Sequence, residues 1–237
     1  MKHLILATAI SAVFAAHAHA GDFSLNAAAV SDYRYRGISQ TRLQSALQGG
    51  ADWVDSGSGL YVGVWASTIK WTKDAGGGGS TEWDIYAGKR GDIAEGVSYD
   101  VGVLGYAYPS NGLNPSANTL ELYGQIGSGP FTLKYSHSTT NLFGFADSRH
   151  SGYIDGTFSK EIGEGYGVSL HAGHQQVKHN SKASYSDWKA GISKDFGVAT
   201  VTLAYVGTNA DRNAYASPAN GKFTGRNALQ LMVAKTF

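Results

Sequence analysis

An alternation of apolar and polar residues, repeated in segments of about ten residues, constrains this chain more than any other feature. In "FSLNAAAVSDYRYR" one face would carry Phe23, Leu25, Ala27, Ala29, Tyr33 and Tyr35. The other would carry Ser24, Asn26, Asp32, Arg34 and Arg36. "TEWDIYAGK" sets Trp83, Ile85 and Ala87 against Glu82, Asp84 and Tyr86, and "VSYDVGVLGY" sets Tyr99, Val101 and Val103 against Ser98 and Asp100. "TLELYGQI", "FTLKYSHS" and "YIDGTFS" repeat the rhythm, with Glu121, Lys134 and Asp155 on their polar faces. Further candidates are 45–54, 60–70, 166–176, 185–194, 199–207 and 227–237. A period of two belongs to a strand whose faces meet different surroundings. The pattern predicts an all-β protein of about twelve antiparallel strands, each about as long as a tilted strand crossing a bilayer.

The connections alternate as well. Short Gly-rich links ("DSGSG", "GDIAEG", "GSGP", "EIGEG", "DFG") take turns with long polar ones such as "TKDAGGGGS", "PSNGLNPSAN" and "TNADRNAYASPANGKFTG". Short turns on one side and long loops on the other describe an outer-membrane β-barrel with periplasmic turns and extracellular loops. The Gly run in "DAGGGGS" has a linker's composition. Strand-like alternation continues on both sides of it, so it reads as a surface loop.

A soluble sandwich or barrel also alternates, with its apolar face inward. Composition decides between the two. Charged residues make up 16 % of the chain, against about 25 % in soluble domains. That is too few to coat the outside of twelve long strands. An apolar exterior facing lipid and a polar lumen fit better. Near-neutral charge (+1) gives no basis for nucleic-acid binding, and the absence of Cys excludes thiolate metal sites.

The first twenty residues, "MKHLILATAISAVFAAHAHA", carry Lys2, an apolar run and a closing Ala18-His19-Ala20. They read as a cleaved signal peptide over 1–20, leaving the barrel over 21–237. Tyr99, Phe131, Phe158, Tyr166 and Phe237 fall near short-turn ends, and Tyr33, Tyr35, Trp83 and Tyr185 near long-loop ends. Two such rings of aromatics would mark the lipid interfaces. The last strand alternates to a terminal Phe237, the form of signal read by barrel-assembly machinery, with Lys235 snorkelling on the same face.

The candidate lumen-lining residues are Asp32, Arg34, Arg36, Glu82, Asp84, Asp100, Glu121, Lys134 and Asp155. Buried unpaired, each would cost several kcal/mol, so they must pair or meet water. A charged constriction and a ring of bracing salt bridges both satisfy that demand. Acidic residues outnumber basic ones on the assigned faces, which points to cations. His171 and His174 fall on opposite faces of a strand and cannot chelate together. No HExxH, GxSxG or P-loop pattern occurs. Ser169 and His171 share a face, but a lone pair on a lumen wall is more often structural. No catalytic, metal or cofactor-binding residue and no enzymatic activity are expected.

"VSDYRYRGISQT", "LQGGADWVDSGSGLYVGVWAS", "EWDIYAGKRG", "YDVGVLGYAYPS", "LKYSHSTTNLFG" and the closing "AKTF" resemble the TorF family, proteobacterial envelope proteins assigned as porins. The resemblance covers essentially 21–237. It implies an outer-membrane barrel of Gram-negative bacteria with a passive-pore role, and brings no substrate or site residues. The expected function is a porin-like channel for passive diffusion of small solutes or ions. A non-conducting structural or adhesive barrel is the alternative, and a lipid-modifying barrel enzyme a more distant one. Expected partners are outer-membrane lipid, the assembly machinery and the solutes, with self-association left open.

Overall fold

A computed structural model of the chain describes residues 21–237; the signal peptide expected over 1–20 lies outside them. The barrel strands are β1 (Asp22–Val30), β4 (Ala46–Val54), β5 (Leu60–Thr68), β6 (Thr81–Ala94), β7 (Val97–Ala107), β8 (Thr119–Ser128), β9 (Phe131–Ser138), β10 (Gly152–Gly163), β11 (Tyr166–Gln176), β12 (Tyr185–Asp195), β13 (Thr200–Thr208) and β14 (Ala228–Thr236). Each pairs antiparallel with its neighbours, and β1 closes onto β14 to give a twelve-stranded barrel. Closure leaves no unpaired strand edge, the condition for strands to span lipid. Among the described residues no helix is long and apolar enough to cross a membrane.

The two faces are inverted relative to a soluble protein. On β6, Asp84 is 2 % exposed and its neighbour Ile85 is 59 % exposed; on β8, Glu121 is 2 % and Leu122 52 %. Phe23, Leu25, Leu133, Leu170 and Leu231 are likewise exposed on the outside. Such an exterior is stable only against hydrocarbon, so this is a transmembrane barrel.

Turns at one end are short: Glu95 and Gly96 join β6 to β7, and Glu164 and Gly165 join β10 to β11. Connections at the other end are long. Residues 69–80 carry the short helix α1 (Trp71–Asp74), and 177–184 carry a 3₁₀ turn (Ser181–Ala183). Residues 31–45 hold a two-stranded ribbon, β2 (Arg34–Tyr35) and β3 (Ile38–Ser39).

That ribbon corrects the strand expected over 23–36, which ends at Val30. Arg36 (φ 45°) and Gly37 (φ 79°) then reverse the chain. Two successive positive φ values make the tight hairpin turn whose twist suits adjoining strands. Tyr33 and Tyr35 therefore do not belong to a lipid girdle. Tyr33 is buried edge-on against Trp65 at 5.4 Å, and Tyr35 meets Tyr106 at 5.5 Å. Tyr185 is buried too, packed with Ile38 and Ala210. Trp83, Phe131, Tyr166 and Phe237 are exposed on the outer face.

The loop half of the interior is thus an aromatic and aliphatic core of Val30, Tyr33, Trp65, Leu104, Tyr106 and Tyr108. Further down, inward tyrosines lie over inward glycines of the adjacent strand: Tyr86 over Gly63, Tyr61 over Gly88, Tyr123 over Gly102. A methyl group at any of these glycines would strike the ring.

Candidate functional site: a hairpin across the bore

The ribbon springs from the β1–β4 side and reaches strands four to six places round the barrel. Its turn is seated against β12 and β13. A Cβ on Gly37 would lie 2.3 Å from Thr208 Cγ2 and 2.8 Å from Asp187 Cβ, so only glycine fits, on conformational and steric grounds alike.

Arg36 leaves this turn and ties it to the far wall. Its Nη1 donates to Glu121 Oε1 at 3.0 Å and to Gln175 Oε1 at 2.6 Å, and its Nη2 donates to Glu121 Oε2 at 2.8 Å. The guanidinium lies over the Tyr153 ring at 4.2 Å. Bidentate pairing with stacking is the arrangement for which guanidinium geometry is suited. Tyr35 and Tyr106 hydroxyls bond each other, and Tyr106 donates to Glu121 Oε2 at 3.2 Å.

The ribbon's own base is braced by charge. Arg34 Nε donates to Asp32 Oδ2 at 2.7 Å, and Arg34 Nη1 donates to the Arg226 carbonyl at 2.6 Å. Ser39 Oγ donates to Asp32 Oδ1, and Gln230 Nε2 donates to the Asp32 carbonyl at 2.7 Å. Asp32, Arg34 and Arg36 therefore enter the bore on an infolded loop, not on the wall of β1. Residues within one short ribbon do different work: the first two brace it, the third bridges.

The wall supplies the rest. Glu82 accepts from Tyr108 at 3.2 Å, and Tyr61 donates to Asp100 at 2.5 Å. Lys134 stands opposite Asp155 across the β9–β10 pair, with its ammonium 4.1 Å over the Tyr123 ring. His171 Nε2 is 3.0 Å from Asp187 Oδ2, and Tyr153 donates to Asp187 Oδ1 at 2.9 Å. Ser169 takes no part in that cluster; Thr157 Oγ1 is the hydroxyl 3.3 Å from His171 Nδ1. Glu82 Oε2 and Asp84 Oδ1 are buried with no partner. Carboxylates prevail on the strand wall, where Asp52, Glu82, Asp84, Asp100, Glu121, Asp155 and Asp187 face Arg90, Lys134 and Lys189.

The expectation drawn from sequence omitted Gln175, Tyr153 and Tyr106, the other partners of the bridge. Each sits on the inward phase of its strand: Gln175 with His171, Tyr153 with Asp155. Period two was a signal sufficient to place them inward. Nothing local announced that Arg36 would meet them.

A family model described as "Bacterial protein of unknown function (Gcw_chp)" matches residues 15–237. The chain belongs to this family. No curated protein matches this family member by sequence. Its fold is similar to that of a KdgM porin solved in complex with disordered oligogalacturonate (TM-score 0.57, 6 % identity, 90 % of this chain and 98 % of that one). It is also similar to a NanC porin (TM-score 0.56, 9 % identity, 91 % and 98 %). A third similar structure is the COG4313 outer membrane channel from Pseudomonas putida F1 (TM-score 0.51, 10 % identity, 93 % and 97 %). At these identities the likeness establishes a shared barrel architecture.

Proposed function

We propose that this Gcw_chp protein is an outer-membrane channel for passive diffusion of small solutes, favouring cations, with the Arg36 hairpin as its constriction. The observation that carries the reading is the inverted barrel itself: hydrocarbon-facing Ile85 and Leu122 beside inward Asp84 and Glu121. A wall of that kind surrounds water more cheaply than it surrounds dry protein. Cations are favoured because carboxylates prevail over basic side chains on the strand wall. The resemblance to the TorF porins supports the same role.

The excess of surface charge at each end supports a sidedness. The long-loop end exposes Lys73, Arg149, Lys178, Lys182 and Lys222 beside Asp147 and Asp211, and the short-turn end exposes Asp92, Glu95, Glu161, Glu164 and Asp195 beside Lys89 and Lys160. Basic loops suit the phosphate-rich outer leaflet, and on this reading the turns and Phe237, the proposed assembly signal, face the periplasm. Purified protein in planar bilayers should give discrete conductance steps with a cation-selective reversal potential in a salt gradient. Silent insertion of folded barrels would favour a non-conducting barrel that displays loops such as 209–227, because the hairpin then seals the bore permanently.

A further inference from the structure

Above the Arg36 bridge, the long loops enclose a cavity of about 260 Å³. Its wall includes Tyr35, Trp71, Tyr108 and Phe143. The rings hold one another: Trp71 meets Tyr108 edge-on at 5.0 Å, and Tyr35 meets Phe143 at 5.7 Å. Side chains already immobilised lose little freedom when a ligand arrives.

The charged groups on this cavity are Arg36, Arg42 and Asp74. Asp74 is taken by Arg42. Arg36 spends Nη1 and Nη2 on Glu121 and Gln175, and its Nε has no partner although the side chain is only 4 % exposed. Arg42 is likewise spent on Asp74, so the unpartnered Arg36 Nε beside rigid rings is the feature that selects a planar anion bearing a ring of its own. The volume lies below the roughly 300–1,000 Å³ of sites for drug-sized ligands, so one ring fits better than an oligomer.

We propose that this vestibule binds monocyclic carboxylates. The ring packs among Tyr35, Tyr108 and Phe143, and the carboxylate takes the Arg36 guanidinium in competition with Glu121. The carboxylates that prevail on the strand wall below disfavour passage of such an anion, so it is held at the mouth and acts on the hairpin. Binding is read without conduction, so its failure is separable from failure of the channel reading.

Equilibrium dialysis of benzoate against the chain folded in detergent tests this, with benzyl alcohol as the neutral ring. Benzoate should bind saturably, about tenfold or more tighter than benzyl alcohol, the scale of one charge-assisted contact. Arg36→Gln should abolish that preference. The ligand comparison on the unaltered chain needs no variant to fold. Absence of benzoate binding, equal binding of the two ligands, or a folded Arg36→Gln that keeps the preference would overturn the proposal.

Discussion

Arg36 Nη2 lies 2.8 Å from Glu121 Oε2, and that contact joins a loop rooted at β1 to a strand on the opposite side of the barrel. Both side chains are almost fully buried. Removing one partner strands the other, which costs about 3–5 kcal/mol for a buried pair. Arg36→Gln and Glu121→Gln should each lower stability and raise single-channel conductance by releasing the hairpin. The double variant should be less destabilised than the sum of the two. Strictly additive losses in urea unfolding from detergent would show that the pair is not coupled.

Gly37 offers a second handle on the same element. Gly37→Ala places a Cβ against Thr208 and Asp187 at a positive φ. The hairpin should lift while the barrel stays closed, since no barrel strand is altered. Limited proteolysis within residues 31–45 should quicken, with the heat-shifted gel mobility of the folded barrel retained. Unchanged cleavage would mean that the turn tolerates the methyl group.

The inverted faces predict opposite responses to one change of charge. Ile85→Lys, on the lipid side, should destabilise the barrel by about 2–4 kcal/mol. Lysine in place of Gln125, which lies on the inward phase of β8 with Tyr123, should cost much less. Folded fraction against urea in lipid vesicles measures both, and equal costs would contradict the assignment of the outside.

Selectivity should follow the carboxylates of the strand wall. Glu82→Gln with Asp84→Asn neutralises two of them, each of which has one buried oxygen without a hydrogen-bond partner. The reversal potential in a salt gradient should move toward zero, and stability should hold or rise because no ion pair is lost. A selectivity unmoved by the double change would place the filter elsewhere.

At the loop rim, Asp74 gives a pH prediction. Burial pushes its carboxyl up, but hydrogen bonds from Arg42 and Ser217 outweigh burial and hold it below its ordinary 3.8. A lowered folded value means the clasp contributes above the ordinary carboxylate range and is lost as pH falls through the folded value. Loop 69–80 should therefore stay docked near pH 5 and release only under stronger acid. Arg42→Gln should move that release to higher pH. NMR titration of Asp74 reads the shift, and an unshifted midpoint in the variant would exclude Arg42 as its cause.

Much of the architecture was legible because a strand's two faces are written into neighbouring residues. Glu121 and Leu122 are adjacent, and the fold uses them on opposite sides of one wall. The span 166–176 follows from that parity and from turn residues alone, whereas the strand read over 81–89 runs on to Ala94, through most of the link expected at "GDIAEG". The stretch from Ser31 to Gln40 alternates just as well, and there the pattern misleads. Its tyrosines find an apolar environment among Trp65, Tyr106 and Phe143 inside the barrel, where lipid was expected to supply it.

The sequence alone determined that this chain closes into a barrel with a greasy outside, because period two and turn spacing are local and each strand carries its own instructions. Only the tertiary structure decided that the first loop turns inward. The groups that receive Arg36 lie 85 and 139 residues away, on Glu121 and Gln175. The Gly run was likewise readable as a loop, but its purpose was not. Gly77 and Gly78 lie against the Asn111 and Ser110 carbonyls, so close that a Cβ has no room. Contacts of that kind depend on which strands become neighbours, and no short window of residues contains them.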